Sequence, residues 1–108
     1  MTAQEAEEAM AALAEALQAA SSRLDALDAL ILATVALDLA FDSRTLAKAF
    51  GAGHALVLRA IMAMSAEPAL LAVTQRDART QRCFLALTSA GEALVAAARP
   101  DAVQQPGL

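Results

Sequence analysis

Residues 46–61 read Leu46-Ala47-Lys48-Ala49-Phe50-Gly51-Ala52-Gly53-His54-Ala55-Leu56-Val57-Leu58-Arg59-Ala60-Ile61. Two helical patterns meet there at a glycine turn. Just upstream, Phe41-Asp42-Ser43 interrupts the apolar run. Asp42 or Ser43 caps a short helix over residues 44–50, because a side-chain oxygen there satisfies a backbone N–H that the helix itself leaves free. Gly51-Ala52-Gly53 makes a tight turn. A second helix follows over residues 54–66, with Val57, Ala60, Ile61 and Met64 on one face. Glu67-Pro68 ends it, since a residue before proline avoids the helical region. A short helix, a glycine-containing turn and a second helix make a helix-turn-helix unit.

Downstream the period changes from helical to alternating. Leu70-Leu71-Ala72-Val73-Thr74 reads as a strand, the polar run Gln75 to Gln81 as a hairpin tip, and Arg82-Cys83-Phe84-Leu85-Ala86-Leu87 as the return strand. Alternation places Cys83, Leu85 and Leu87 on one face, toward the core. Thr88-Ser89 starts a last helix, where Ser89 and Glu92 have the S-x-x-E spacing of a capping box. That helix is expected to reach about Arg99 and stop at Pro100, leaving residues 100–108 as a loose tail.

Upstream, residues 3–20 read as an amphipathic helix with a seam of Ala6, Met10, Leu13 and Leu17 and an acidic, alanine-rich opposite face. Ser21 or Ser22 is placed to cap the next helix, over residues 22–40. Leu24, Leu27, Ile31 and Val35 form its main stripe, with Leu30, Thr34 and Leu37 beside it. Asp25 and Asp28 sit near its start, where the helix dipole favours negative charge. The expected fold is mainly α with a small β-hairpin: a three-helix core plus wing, with an added N-terminal helix. One domain covers residues 1–99. Residues 1–21 are the N-terminal helix, 22–88 the helix-turn-helix and wing, and 89–99 the C-terminal helix.

Composition narrows the function classes. Hydrophobic residues make up 58% of the chain, with no Trp or Tyr and three Phe, so a core of Leu, Ile, Val and Met is expected. One Cys and one His exclude an internal disulfide and leave almost no means to hold zinc, and no cofactor or metal is expected. The first twenty residues carry Glu5, Glu7, Glu8 and Glu15 and no Lys or Arg, the reverse of a secretory leader. The longest apolar candidate, residues 29–37, stops at Asp38 and is too short to span a bilayer. A cytoplasmic protein with no membrane partner is expected. Catalytic arrangements are missing as well. Gly51-Ala52-Gly53 lies between helices rather than after a strand, and no nucleophile and base occur at a recognisable spacing, so an enzyme is not expected.

Charge is segregated along the chain. Residues 1–43 hold eight acids and one base, Arg23, whereas residues 44–82 hold six bases (Arg44, Lys48, Arg59, Arg76, Arg79, Arg82) and two acids. A basic stretch on an acidic body is a footprint for a polyanion, although clustered charge also occurs on ordinary solvated faces.

Two stretches resemble the MarR family of bacterial winged-helix regulators. Leu46, Ala47, Phe50 and Gly51 match the supporting helix and turn, and Val57 and Arg59 match the recognition helix. Leu87-Thr88-Ser89-Ala90-Gly91-Glu92-Ala93-Leu94 is similar to the family's L-T-x-x-G-x-x-L at the end of the wing. The hairpin departs from the family, which often has an Asp-Arg-Arg cluster at the tip; here Asp77, Arg79 and Arg82 are spread differently.

The resemblance implies a dimeric regulator, a repressor by occupancy, that binds double-stranded DNA with one helix in the major groove and a basic wing beside it. The expected contact residues are Arg44, Lys48, Gly53, His54, Ala55, Leu56, Leu58, Arg59, Arg76, Arg79 and Arg82. Arg59 suits a guanine or a phosphate, Arg44 and Lys48 suit phosphates, and the hairpin arginines suit a narrow minor groove. His54 is read first as a surface or capping residue. Cys83 reads as a small buried hydrophobe rather than a redox sensor, and Met62 and Met64 as packing residues. Leu56 and Leu58 either touch thymine methyls or form a protein-binding patch. The second option keeps open a winged-helix module that binds a protein partner instead of DNA. The seam of residues 3–20 either folds back on the body or pairs with a second copy in a homodimer.

Overall fold

The computed structural model describes residues 2–99. Five helices and one two-stranded antiparallel sheet follow one another as α1 (Ala3–Ala20), α2 (Ala26–Ala36), α3 (Ser43–Phe50), α4 (His54–Ser65), β1 (Leu71–Asp77), β2 (Arg82–Leu87) and α5 (Ser89–Ala98). The fold is mainly helical with a small hairpin. The expected tail, residues 100–108, and the proline placed at its start lie outside the described residues.

Helix α2 is the centre of the molecule. Ala29 and Ile31 to Val35 are all buried, so the helix is covered on every side rather than along one stripe. It packs against α1, α4, α5 and β2. Helix α1 crosses α2 and also reaches α5, placing Leu13 and Leu17 in the core. The seam therefore folds back on its own chain. The core continues through Leu46 of α3, Val57, Ile61 and Met64 of α4, and Leu71, Cys83 and Leu85 of the hairpin.

Several boundaries differ from the sequence reading, each for a local reason. Helix α2 starts at Ala26, later than residue 22, because Asp25 is its cap. Asp25 accepts from the Asp28 N–H, and Asp28 accepts in return from the Asp25 N–H. It ends at Ala36, where Asp38 takes a positive φ of 58°. Helix α4 ends one residue early, at Ser65. Strand β1 continues to Asp77, three residues beyond the expected end. Its outer half is exposed, so its residues are polar and look like loop. Arg76 is consequently a strand residue and not part of the tip. Helix α5 is capped by Thr88, whose hydroxyl accepts from the Gly91 N–H, so Ser89 is its first helical residue and not its cap.

Two clamps tie distant segments together. Arg23 leaves the α1–α2 loop and donates to the carbonyls of Ala63 (2.9 Å), Ala66 (3.0 Å) and Pro68. Ala63 and Ala66 lie at the C-terminal end of α4, where a cation meets the negative end of the helix dipole, and Pro68 lies in the loop beyond it. The second clamp joins α5 to the start of β1. The Thr88 hydroxyl donates to Ala69 O at 2.6 Å, and the Thr88 N–H donates to Leu70 O at 3.2 Å. Gly91 lies so close to this segment that a Cβ there would sit 2.2 Å from Leu70 O. The Thr-x-x-Gly spacing thus has a packing cause.

Replacing a helical glycine by alanine ordinarily stabilises by about 1 kcal/mol. Gly91→Ala is expected to do the reverse, because α5 must move off Leu70, with a loss of about 1–3 kcal/mol in urea unfolding. A gain in stability would show that the close approach is not a constraint.

Candidate nucleic-acid interface

The segment Phe41–Asp42–Ser43 positions the basic elements. It runs along the free edge of β2, where the Leu85 N–H donates to Phe41 O at 2.7 Å and Asp42 bridges to Phe84. Asp42 then caps α3, accepting from the Thr45 N–H at 3.0 Å and the Thr45 hydroxyl at 2.7 Å. Its carboxylate also faces the Arg82 guanidinium at 3.4 Å. Burial alone would push the Asp42 pKa up. The Thr45 hydrogen bonds and the Arg82 charge outweigh burial and hold it below its ordinary value of 3.8.

Ser43 is fully buried. Its hydroxyl oxygen accepts from the Cys83 N–H of β2 at 2.9 Å and lies 2.8 Å from Nε2 of His54, the first residue of α4. One hydroxyl therefore joins α3, α4 and β2. The hydroxyl proton needs an acceptor, and neutral imidazole Nε2 supplies it. The His54 pKa is lowered from 6.5, first by burial and then by the charges of Arg44 and Arg82; Asp42 opposes them. His54 is thus a structural link at the base of α4, held neutral.

Arg44, Lys48, His54 and Arg82 line one open cleft of about 620 Å³ beside the Gly51 turn. Gly51 has a φ of 63°, which ends α3 at low cost and lets the chain turn into α4. Two of the three cations that line this cleft have intramolecular partners. Arg44 donates through Nε and Nη2 to Thr80 O in the hairpin turn, at 3.1 and 2.6 Å. Arg82 faces Asp42 and is half exposed. Both hold the hairpin against α3 while keeping their charge at the surface. Sequence reading assigned them to DNA alone, since Thr80 and Asp42 lie far from their partners along the chain.

Lys48, Arg59, Arg76 and Arg79 are exposed, and among the described residues their side chains have no hydrogen bond or ion pair. Between Val73 and Gln75 the pairing register shifts, setting Arg76 opposite the buried Cys83. The bulge turns Arg76 toward α4, and it borders a groove of about 190 Å³ with Leu58, Met62 and Gln81.

The remaining expected contacts separate on α4. Gly53 and Ala55 are exposed, and Leu56 is 51% exposed. Leu58 is partly buried against the core, because two residues along a helix turn the side chain about 200° away. Leu56 and Leu58 therefore do not form one patch. Met64 is buried as expected, but Met62 is 60% exposed and is not a packing residue. Helical phase is the signal for it: Met62 lies three positions beyond Arg59. Cys83 is buried in the core. Among the described residues no helix is long and apolar enough to cross a membrane.

Ser43→Ala leaves the Cys83 N–H buried without a partner, and urea unfolding is expected to show a loss of about 1–3 kcal/mol. His54 is the chain's one histidine. Its depressed pKa means that the unfolded chain binds the proton more readily than the folded one. Relative to His54→Asn, the wild type is expected to lose stability as pH falls from about 7 through the unfolded value toward the lower folded one. An imidazole titration by NMR above 6.5, or parallel stability curves for the two proteins, would contradict this.

In comparisons with known proteins, the chain matches no protein-family model, no curated protein and no solved structure.

Proposed function

We propose that this chain is a winged helix-turn-helix transcriptional regulator that binds duplex DNA in the cytoplasm, of the kind represented by the MarR family. In this reading α3, the Gly51 turn and α4 are the helix-turn-helix, and β1–β2 is the wing. Helix α4 enters the major groove, and the hairpin lies over the backbone or the minor groove. The observation that carries it is the distribution of charge. Lys48, Arg59, Arg76 and Arg79 stand unpaired on α3, α4 and the hairpin, with Arg44 and Arg82 adding exposed charge, whereas Glu5, Glu7, Glu8 and Glu15 are on α1. On the hairpin the one acid is Asp77, against Arg76, Arg79 and Arg82, and on α4 there is none, so the net charge of these elements attracts a polyanion.

A homodimer belongs to the reading, because two half-sites multiply a weak single contact. Its surface is not the Leu13–Leu17 seam, which is buried within the chain. Repression by occupancy is the simplest output of such a binder. A second reading has a specific observation behind it: the outer face of α4 exposes Leu56 and Met62, an apolar pair suited to a protein partner.

Fluorescence-anisotropy titrations separate the two. The duplexes are DNA from upstream of the chain's own coding sequence and a random sequence. If about three cations per chain meet phosphates, log K is expected to fall with log salt with a slope of about −3 for a monomer and about −5 for a dimer. Arg59→Ala is expected to weaken binding by about 1–3 kcal/mol. Absence of binding at low salt to either duplex would favour the protein-interaction module.

A further inference from the structure

The exposed face of α4 has an unusual composition for a helix read as lying in a groove. At 3.6 residues per turn, Ala55, Leu56, Arg59, Met62 and Ala63 fall within one arc of about 120°. All five are exposed, Leu56 at 51% and Met62 at 60%. Arg59 is the one hydrogen-bonding side chain among them. The other polar residues of α4 are occupied elsewhere: His54 on Ser43, and Ser65 on the carbonyl of Ile61. No acid occurs on the helix. Such a face can read a base pair by one arginine and otherwise by apolar contact.

The major groove offers one apolar group, the C5-methyl of thymine. Cytosine presents a bare C5–H at the same place unless it is methylated. The surroundings of the face match nucleic acid in charge, because Arg76 borders Met62 across the hairpin groove and Lys48 stands unpaired on α3. A protein partner would gain nothing from that cationic frame unless it were acidic.

We infer that α4 recognises pyrimidine C5-methyl groups in the major groove, with Leu56 and Met62 as the specificity-determining residues. The inference rests on the DNA-binding reading above. It makes the preferred target rich in A·T pairs for a reason other than groove width. It also makes 5-methylcytosine a substitute for thymine.

The test uses four duplexes of about two helical turns: alternating A·T, the same sequence with every thymine replaced by uracil, alternating G·C, and its 5-methylcytosine form. Uracil keeps every hydrogen-bonding edge and removes only the methyl. Each contacted methyl is expected to contribute about fourfold in affinity, so the thymine duplex should bind at least tenfold more tightly than the uracil duplex. The methylated G·C duplex should likewise exceed the unmethylated one. L56A/M62A removes exposed side chains and leaves the core untouched. It is expected to bind thymine and uracil duplexes equally while keeping the salt dependence of the wild type. Equal, salt-sensitive binding of thymine and uracil duplexes by the wild type would overturn the methyl inference and leave DNA binding standing. A thymine preference that survives in L56A/M62A would overturn the assignment to these residues. No binding to any of the four duplexes at low salt would overturn both the inference and the reading beneath it.

Discussion

The Ser43 hydroxyl has no access to solvent, and a buried hydroxyl must be hydrogen-bonded or it destabilises the fold. It accepts from the backbone of β2 and meets the first side chain of α4, from the first turn of α3. The cap residue before it, Asp42, holds Thr45 on one side and Arg82 on the other. Arg44, the residue after it, grips the hairpin turn at Thr80. Three consecutive residues thus fix the hairpin, α3 and α4 as one unit. The same residues that orient the proposed DNA-binding surface also place two of its cations.

That unit is anchored to the rest of the chain from opposite ends. Arg23 fastens the far end of α4 to the loop before α2, and Thr88 with Gly91 fastens α5 to the entry of β1. Helix α2, buried on all sides, lies between them. Rigid placement matters for the proposed function. Phosphate contacts set register on a duplex only if the cations hold their spacing, and here they come from α3, α4 and the hairpin together. The bulge near Thr74 serves the same end by bringing Arg76 over α4.

Much of the element order was legible in sequence because the apolar residues keep strict periods. The stepping of Leu13 and Leu17, and of Val57, Ala60, Ile61 and Met64, needs no tertiary context. The outer half of β1 was not legible, since a strand exposed to water carries the same polar residues as a loop. Caps were misplaced by one to four residues wherever neighbouring Ser, Thr and Asp compete. Asp25 prevails over Ser21 and Ser22 by its reciprocal pairing with Asp28, and Thr88 over Ser89 by its bond to Ala69. In the candidate site, the list of cations was readable and their roles were not. Arg44 and Arg82 find partners 36 and 40 residues away, respectively, and no local pattern announces them. Leu58 and Met62 exchanged roles because helical phase decides exposure, and composition does not.

The claim that most of this depends on is that α3, the exposed face of α4 and the hairpin together form a surface for duplex DNA. Backbone amide chemical shifts, followed by NMR while a short duplex is added at low salt, test it most directly. The expected result is a contiguous set of shifts on Lys48, residues 53–62 and residues 76–82 that reverses as salt is raised, with α1 and α5 unmoved. Shifts confined to α1 or α5, or no shifts at saturating duplex, would contradict it.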